Sequence, residues 1–315
     1  MKAYEEGLQI ARQEQDNESI CTLSSYLADV LRLQGHLDRA EALCREGLVL
    51  ARQNGHQESE GLLLAALGAI MTRRGNFAQT EAYFLEGLEL ARHVGHRDLE
   101  SRLLLSLGAI AHYRGKFEEA VRYIQEALAL ARQTGHREHI CNLLGNLGSV
   151  LVLLRDYQKA EMYLLEALAL ARELGRHEQL PILLINLGEV NGYLGNYQRA
   201  NAYFRESVEL ARQQEATWSI TAAHIYWGEL HLRYQQVEAA EAAFEKGLTL
   251  NQKGEQDPGL RAEGQYGLAQ IAALRGEVEK AYSLGKETLQ TFETMGHYRT
   301  EATRQWLAGI SDSDV

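Results

Sequence analysis

The chain has 315 residues, with 2 prolines, 28 glycines, 45% hydrophobic and 24% charged residues, and a formal net charge of −11 at pH 7. Average usage would put roughly 15 prolines in a chain this long, so forced breaks are few and long helices are expected. The acidic balance argues against general binding to nucleic acid or an anionic membrane; the apolar fraction argues against disorder, and the longest uncharged apolar runs, such as 62–71, fall short of the ~20 residues that span a bilayer.

The first fifteen residues carry charges and no apolar signal-peptide core. Cys21, Cys44 and Cys141 are odd in number and far apart, which suits reduced thiols and a cytoplasmic location. From there the chain repeats. Ala-Arg recurs at Ala11-Arg12, Ala51-Arg52, Ala91-Arg92, Ala131-Arg132, Ala171-Arg172 and Ala211-Arg212, and Leu-Gly recurs in the same register from Leu67-Gly68 to Leu187-Gly188, each at a spacing of 40. Leu268-Ala269 arrives one residue late, so an extra residue is placed in 252–260.

Each unit reads as two helices. Leu64, Leu67, Gly68 and Met71 form one apolar stripe, and Phe77, Thr80, Phe84, Gly87, Leu88 and Ala91 a second. A glycine separates the helices at Gly35, Gly75, Gly115, Gly195 and Gly276, where a left-handed cap is expected; Asp156 and Gln236 are read as departures. A second glycine closes most units, with Glu215 as the exception. The arginines of the Ala-Arg pairs fall in the last helical turn, where a cation suits the negative helix end. Glycine inside the first helix (Gly68, Gly108, Gly148, Gly188, Gly228) costs about 1 kcal/mol against alanine, which predicts a helix packed too closely for a Cβ. The architecture expected is an all-α solenoid of antiparallel hairpins with sixteen helices. Residues 1–15 form a half repeat, 16–296 seven full repeats, 297–310 a terminal half repeat and 311–315 a polar tail. Opening on a lone second helix suggests a segment of a longer protein.

These residues resemble the tetratricopeptide repeat family, whose bulky, Leu-Gly, small and aromatic positions are matched by Leu64, Leu67-Gly68, Met71, Thr80, Phe84 and Gly87, and by Leu104, Leu107-Gly108, Ala111, Ala120, Ile124 and Ala127. The period of 40 and the missing terminal proline resemble a longer-helix subclass: kinesin light chains, spindle-orientation adaptors and the sensor arms of bacterial STAND-type regulators. The resemblance implies a right-handed superhelical solenoid, a protein- or peptide-binding scaffold rather than an enzyme, and an NTPase or regulatory domain linked in the parent chain.

Positions two, five, six, nine, twelve and thirteen of the first helices vary from repeat to repeat, as a solvent-facing stripe would. In the resembling family that stripe lines a concave groove that takes extended peptides. It carries Arg102 and Tyr113, then Asn142 and Asn146, then Asn186, Glu189 and Tyr193, then Tyr226, Glu229 and Arg233. Asn146 and Asn186 precede Leu-Gly in adjacent repeats, and an amide offers both a donor and an acceptor to a peptide group. Similar repeats use such an asparagine to clamp a ligand backbone; a hydrogen bond within the scaffold is the competing reading. No row of lysines supports a carboxylate clamp. His136 and His139 lack a third metal ligand, and His224 and His231 share a stripe with Trp227 that suits hydrogen-bonded core histidines. The glutamates of the second helices read as a solvated outer face. No Walker loop, nucleophile elbow, dinucleotide fingerprint or paired-cysteine zinc pattern occurs, so no cofactor, metal or catalytic group is expected. The reading is a sensor or adaptor arm that captures an extended peptide; the alternative is a solenoid that self-associates through its terminal helices, because the Leu8 and Ala11 face lacks a neighbour.

Overall fold

In the computed structural model, residues 1–254 and 256–311 are described. Among them are sixteen helices, one 3-10 turn (His177–Gln179) and no strand: α1 Lys2–Glu14, α2 Asn17–Leu33, α3 Leu37–Asn54, α4 Gln57–Arg73, α5 Phe77–Val94, α6 Arg97–Tyr113, α7 Phe117–Thr134, α8 Arg137–Leu153, α9 Tyr157–Glu173, α10 Leu180–Tyr193, α11 Tyr197–Gln213, α12 Thr217–Arg233, α13 Val237–Lys253, α14 Pro258–Leu274, α15 Val278–Met295 and α16 Thr300–Ser311. The tail beyond Ser311 and Glu255, which falls in the irregular junction, lie outside the described residues. The chain forms two compact units, Met1–Val150 and Leu151–Val315.

Within each unit, helix pairs pack as hairpins around apolar stripes. In the first, Leu27, Leu31, Leu48, Leu63, Leu64 and Leu67 share one buried cluster. In the second, Ile185, Phe204, Val208, Ala222 and Leu230 share another. The glycine of the first helix has the close-packing role its cost implied. A Cβ on Gly68 would stand 2.3 Å from the Phe84 ring, one on Gly188 2.8 Å from Phe204, and one on Gly228 2.7 Å from Phe244. The close neighbour is the second helix of the same hairpin.

Several expectations change. Leu8 and Ala11 are each only 5% exposed, packed in one buried cluster with residues of α2, so that face has a neighbour within the chain. Within the hairpins, the left-handed turn residues that are not glycine are Arg155 and Gln235, at φ 59° and 58°, one position before Asp156 and Gln236. Asp156 is instead an N-cap, accepting from the Lys159 backbone N–H. Pro181 lies in the first turn of α10, and Pro258 opens α14 behind the Asp257 cap, both places where proline is tolerated.

The arginines of the Ala-Arg pairs do more than face a helix end. Arg12 reaches Glu46 at 2.9 Å, and Arg52, Arg92 and Arg172 reach Glu86, Glu126 and Glu206 at 2.5 Å, each 34 residues ahead on the next second helix. Arg52 and Arg92 also hold Glu60 and Glu100. Glu86, Glu126 and Glu206 are therefore paired rather than merely solvated. These rungs are half exposed, so each contributes at most about 1 kcal/mol; their repetition fixes the register of successive hairpins.

Candidate functional site

A cavity of about 850 Å³ opens within the second unit. Its walls come from the end of α8, the turn after it, the start of α9, and the first helices α10, α12, α14 and α16. Glu189 and Tyr193 of α10 and Glu229 and Arg233 of α12 line it, so four of the variable-stripe residues converge as the repeat register predicts. Tyr266 and Gln270 of α14 occupy the same stripe once the extra residue at 252–260 is counted, and Trp306 of α16 continues it. Tyr157, Tyr298 and Arg299 complete the lining from turns and helix starts, where no helical period could have flagged them.

At the base of the cavity, Arg299 donates a fork to both carboxylate oxygens of Glu229, the Nη2–Oε2 arm being 3.0 Å. Its Nε donates to the Tyr298 hydroxyl at 2.8 Å and stands 3.9 Å from Glu263. Glu263 is 3% exposed, and Tyr226 acts on it to favour the charged carboxylate; Tyr226 itself does not line the cavity. Position two is thus not uniformly solvent-facing, since Ala222 and Glu263 are both buried. Burial, opposed by Arg299 and reinforced by Glu229, pushes the Glu263 carboxyl up to about 7. Glu189 is pushed up to about 7 by burial and then by repulsion from Glu229. His297, stacked on Phe292 at 4.3 Å, is pushed down to about 4 by burial and by Arg299, and is neutral beside Glu263.

Aromatic contacts form the other wall. Tyr157 and Tyr193 stack at 4.4 Å and 7°, and the Arg233 guanidinium lies 3.7 Å over the Tyr193 ring. Tyr266 meets Trp306 edge-on at 5.3 Å. Arg155 and Gln235, the two non-glycine residues in left-handed hairpin turns, also line the cavity. Non-glycine residues in that conformation cost roughly 1–2 kcal/mol each; Gln15, Glu215 and Gln256 adopt it as well, away from the cavity.

The remaining candidates lie elsewhere. Arg102 lines a separate cavity of about 210 Å³ in the first unit with Tyr26, Asp29 and Arg32. Tyr113 is 61% exposed and packs on Phe77 at 4.5 Å. Asn142 is half-buried, and Asn146 is exposed and donates to the Asn142 carbonyl of its own helix at 2.8 Å. Asn186 is half-buried on α10. His136 contacts Asp98 at 2.7 Å while His139 contacts Ser101 at 2.9 Å, so the two rings serve different partners. His231 is hydrogen-bonded, to Gln236 at 3.0 Å, but His224 departs from the expectation: its Nε2 is buried without a hydrogen-bond partner. Among the described residues, no helix is long and apolar enough to cross a membrane.

Comparison with known proteins fits this geometry. The tetratricopeptide repeat family matches residues 59–133 and 139–213, and the anaphase-promoting complex subunit 5 family matches 1–34 and 195–260. No curated protein matches the chain. Among solved structures, the apo form of RapI superposes with a TM-score of 0.70 at 14% identity, covering 88% of this chain and 98% of that one. A STAND signal-transduction ATPase of Pyrococcus horikoshii with a tetratricopeptide repeat sensor superposes with a TM-score of 0.68 at 19% identity, over 95% of this chain but 45% of that one. NprR in complex with its cognate peptide NprX superposes with a TM-score of 0.67 at 13% identity, covering 94% and 83%. Family match, helix-hairpin fold and Leu-Gly register agree: the chain is a tetratricopeptide repeat protein.

Proposed function

We propose that this chain is a binding scaffold that captures an extended peptide or protein segment in the cavity of its second unit, and that it serves as the sensing arm of a larger signalling regulator. The observation that carries the reading is the convergence of Glu189, Tyr193, Glu229, Arg233, Tyr266 and Gln270, variable positions of successive repeats, on one cavity. Tyrosines that present large apolar faces with polar tips are favoured in recognition surfaces. The likeness to NprR, solved with a peptide, and to a STAND protein with a repeat sensor supports the same role. A linked NTPase or other regulatory region would then read out ligand occupancy.

Panning a random dodecapeptide phage library against the purified chain tests the proposal. Enriched peptides should bind the wild type and lose binding to the Tyr193→Ala/Tyr266→Ala double variant while its far-UV circular dichroism is unchanged. No enrichment, or binding indifferent to the double variant, overturns it.

A further inference from the structure

The polar groups of the cavity are unequally committed. Arg299 is consumed by Glu229, Tyr298 and Glu263, and each Glu229 oxygen in turn accepts one arm of the Arg299 fork. Glu189 lines the same cavity, yet among the described residues no hydrogen bond or ion pair reaches its carboxylate. Four charged groups act on it through space: Glu229 and Glu263 against its charge, Arg299 and Arg233 in its favour. Beside it, the Tyr157–Tyr193 stack already carries one guanidinium, that of Arg233, on an open ring face. The wall therefore suits planar cations, which aromatic faces attract.

A neutral guest could at most donate a hydrogen bond to Glu189 and would leave its charge uncompensated; an anionic guest would find the guanidiniums of Arg155 and Arg233 at the rim but would also face Glu189 and Glu229, with Arg299 already committed. A guanidinium satisfies both walls, because it is flat enough to stack and offers a fork of donors to a carboxylate. We infer that the cavity takes its peptide through an arginine side chain of the ligand, whose guanidinium pairs with Glu189. This rests on the peptide-binding reading above and names the chemistry of the guest. Burial and the neighbouring carboxylates hold Glu189 up to about 7, so the empty site is partly protonated at neutral pH. Docking a cation expels that proton, and the preference for arginine strengthens as pH rises through 7.

The probe is a set of acetylated, amidated hexapeptide pools with arginine, citrulline or glutamate fixed at the third position and Ala, Leu, Tyr, Ser and Asn mixed elsewhere. Retention on the immobilised chain is read by mass spectrometry. At pH 8 the arginine pool should be retained at least roughly tenfold over its neutral isostere citrulline, the scale of one charge-assisted contact. The ratio should fall toward one at pH 6, and Glu189→Gln should abolish it at both pH values. Equal retention of arginine and citrulline at pH 8, preference for glutamate, or a ratio that survives Glu189→Gln overturns the inference alone. Retention of no pool by the wild type overturns it together with the peptide-binding reading. Should Glu189→Gln misfold by circular dichroism, the pH dependence of the wild-type ratio decides.

Discussion

Arg299 forks onto Glu229 across seventy residues of sequence, joining the start of the last described helix to the wall of a cavity two hairpins earlier. Among the described residues it is the one guanidinium within ion-pair reach of two of the three carboxylates gathered there. Replacing it with methionine keeps the bulk and strands Glu229 and Glu263 without a cation. Breaking a buried pair on one side costs about 3–5 kcal/mol. Urea denaturation of Arg299→Met should show a loss of that order at pH 8 and a smaller one at pH 6, where Glu263 is largely protonated. Arg299→Lys should recover only part, because an ammonium cannot fork.

Glu189 carries the opposite sign. Its carboxyl is raised from 4.5 to about 7 in the fold, so its contribution to stability is present below pH 4.5 and lost as pH rises through 7. Glu189→Gln removes the ionisation cost. The variant should be more stable than wild type by roughly 2–3 kcal/mol at pH 8, with the advantage shrinking below about 1 kcal/mol at pH 5. The neutral histidines His224 and His297 cancel in that comparison, since both proteins carry them. Parallel melts across this range check it; an advantage independent of pH would contradict the assignment.

The fold was legible because the 40-residue period holds through six units and slips by a single residue in 252–260, and two markers were enough to place the hairpins. The site was legible where it follows that period. Glu189, Tyr193, Glu229 and Arg233 could be read from register alone. Arg299 and Tyr298 precede α16, and Tyr157 opens a second helix, so helical spacing is silent about them. The Arg–Glu rungs did have a signal, a constant separation of 34, but it links different helices and is invisible to a search within one.

Gly68 and Phe84 form a size-matched pair, with no room for a methyl group between backbone and ring. Gly68→Ala gains about 1 kcal/mol of helix propensity and loses about 1–3 kcal/mol to overpacking, so a net loss is expected. Phe84→Leu makes space and should reduce that loss in the double variant. A double-mutant cycle by urea denaturation with no coupling would rule out the contact.

The Arg–Glu ladder has a reversed rung: Lys246 stands 34 residues after Arg212, where other units have glutamate. Between them His224 is held down to about 4 by burial first, then by the charges of Lys246 and Arg212. Lys246→Glu should add a rung worth at most about 1 kcal/mol and raise the His224 midpoint. A proton NMR titration of the His224 ring reads this directly; an unmoved midpoint would show that burial alone sets it.

Arg155 and Gln235 test whether the cavity is maintained at the expense of stability. Both occupy left-handed turns that hold glycine in the other hairpins, and both place side chains along the cavity. The double replacement Arg155→Gly/Gln235→Gly relieves roughly 1–2 kcal/mol of backbone strain at each site, partly offset by the extra freedom glycine gives the unfolded chain. The melting temperature should therefore rise. If these side chains serve the guest, peptide capture should weaken in the same variant although neither substitution disturbs the core. A rise in melting temperature with capture unchanged would assign the two residues to the turn alone, and a fall would show that their side chains support the fold.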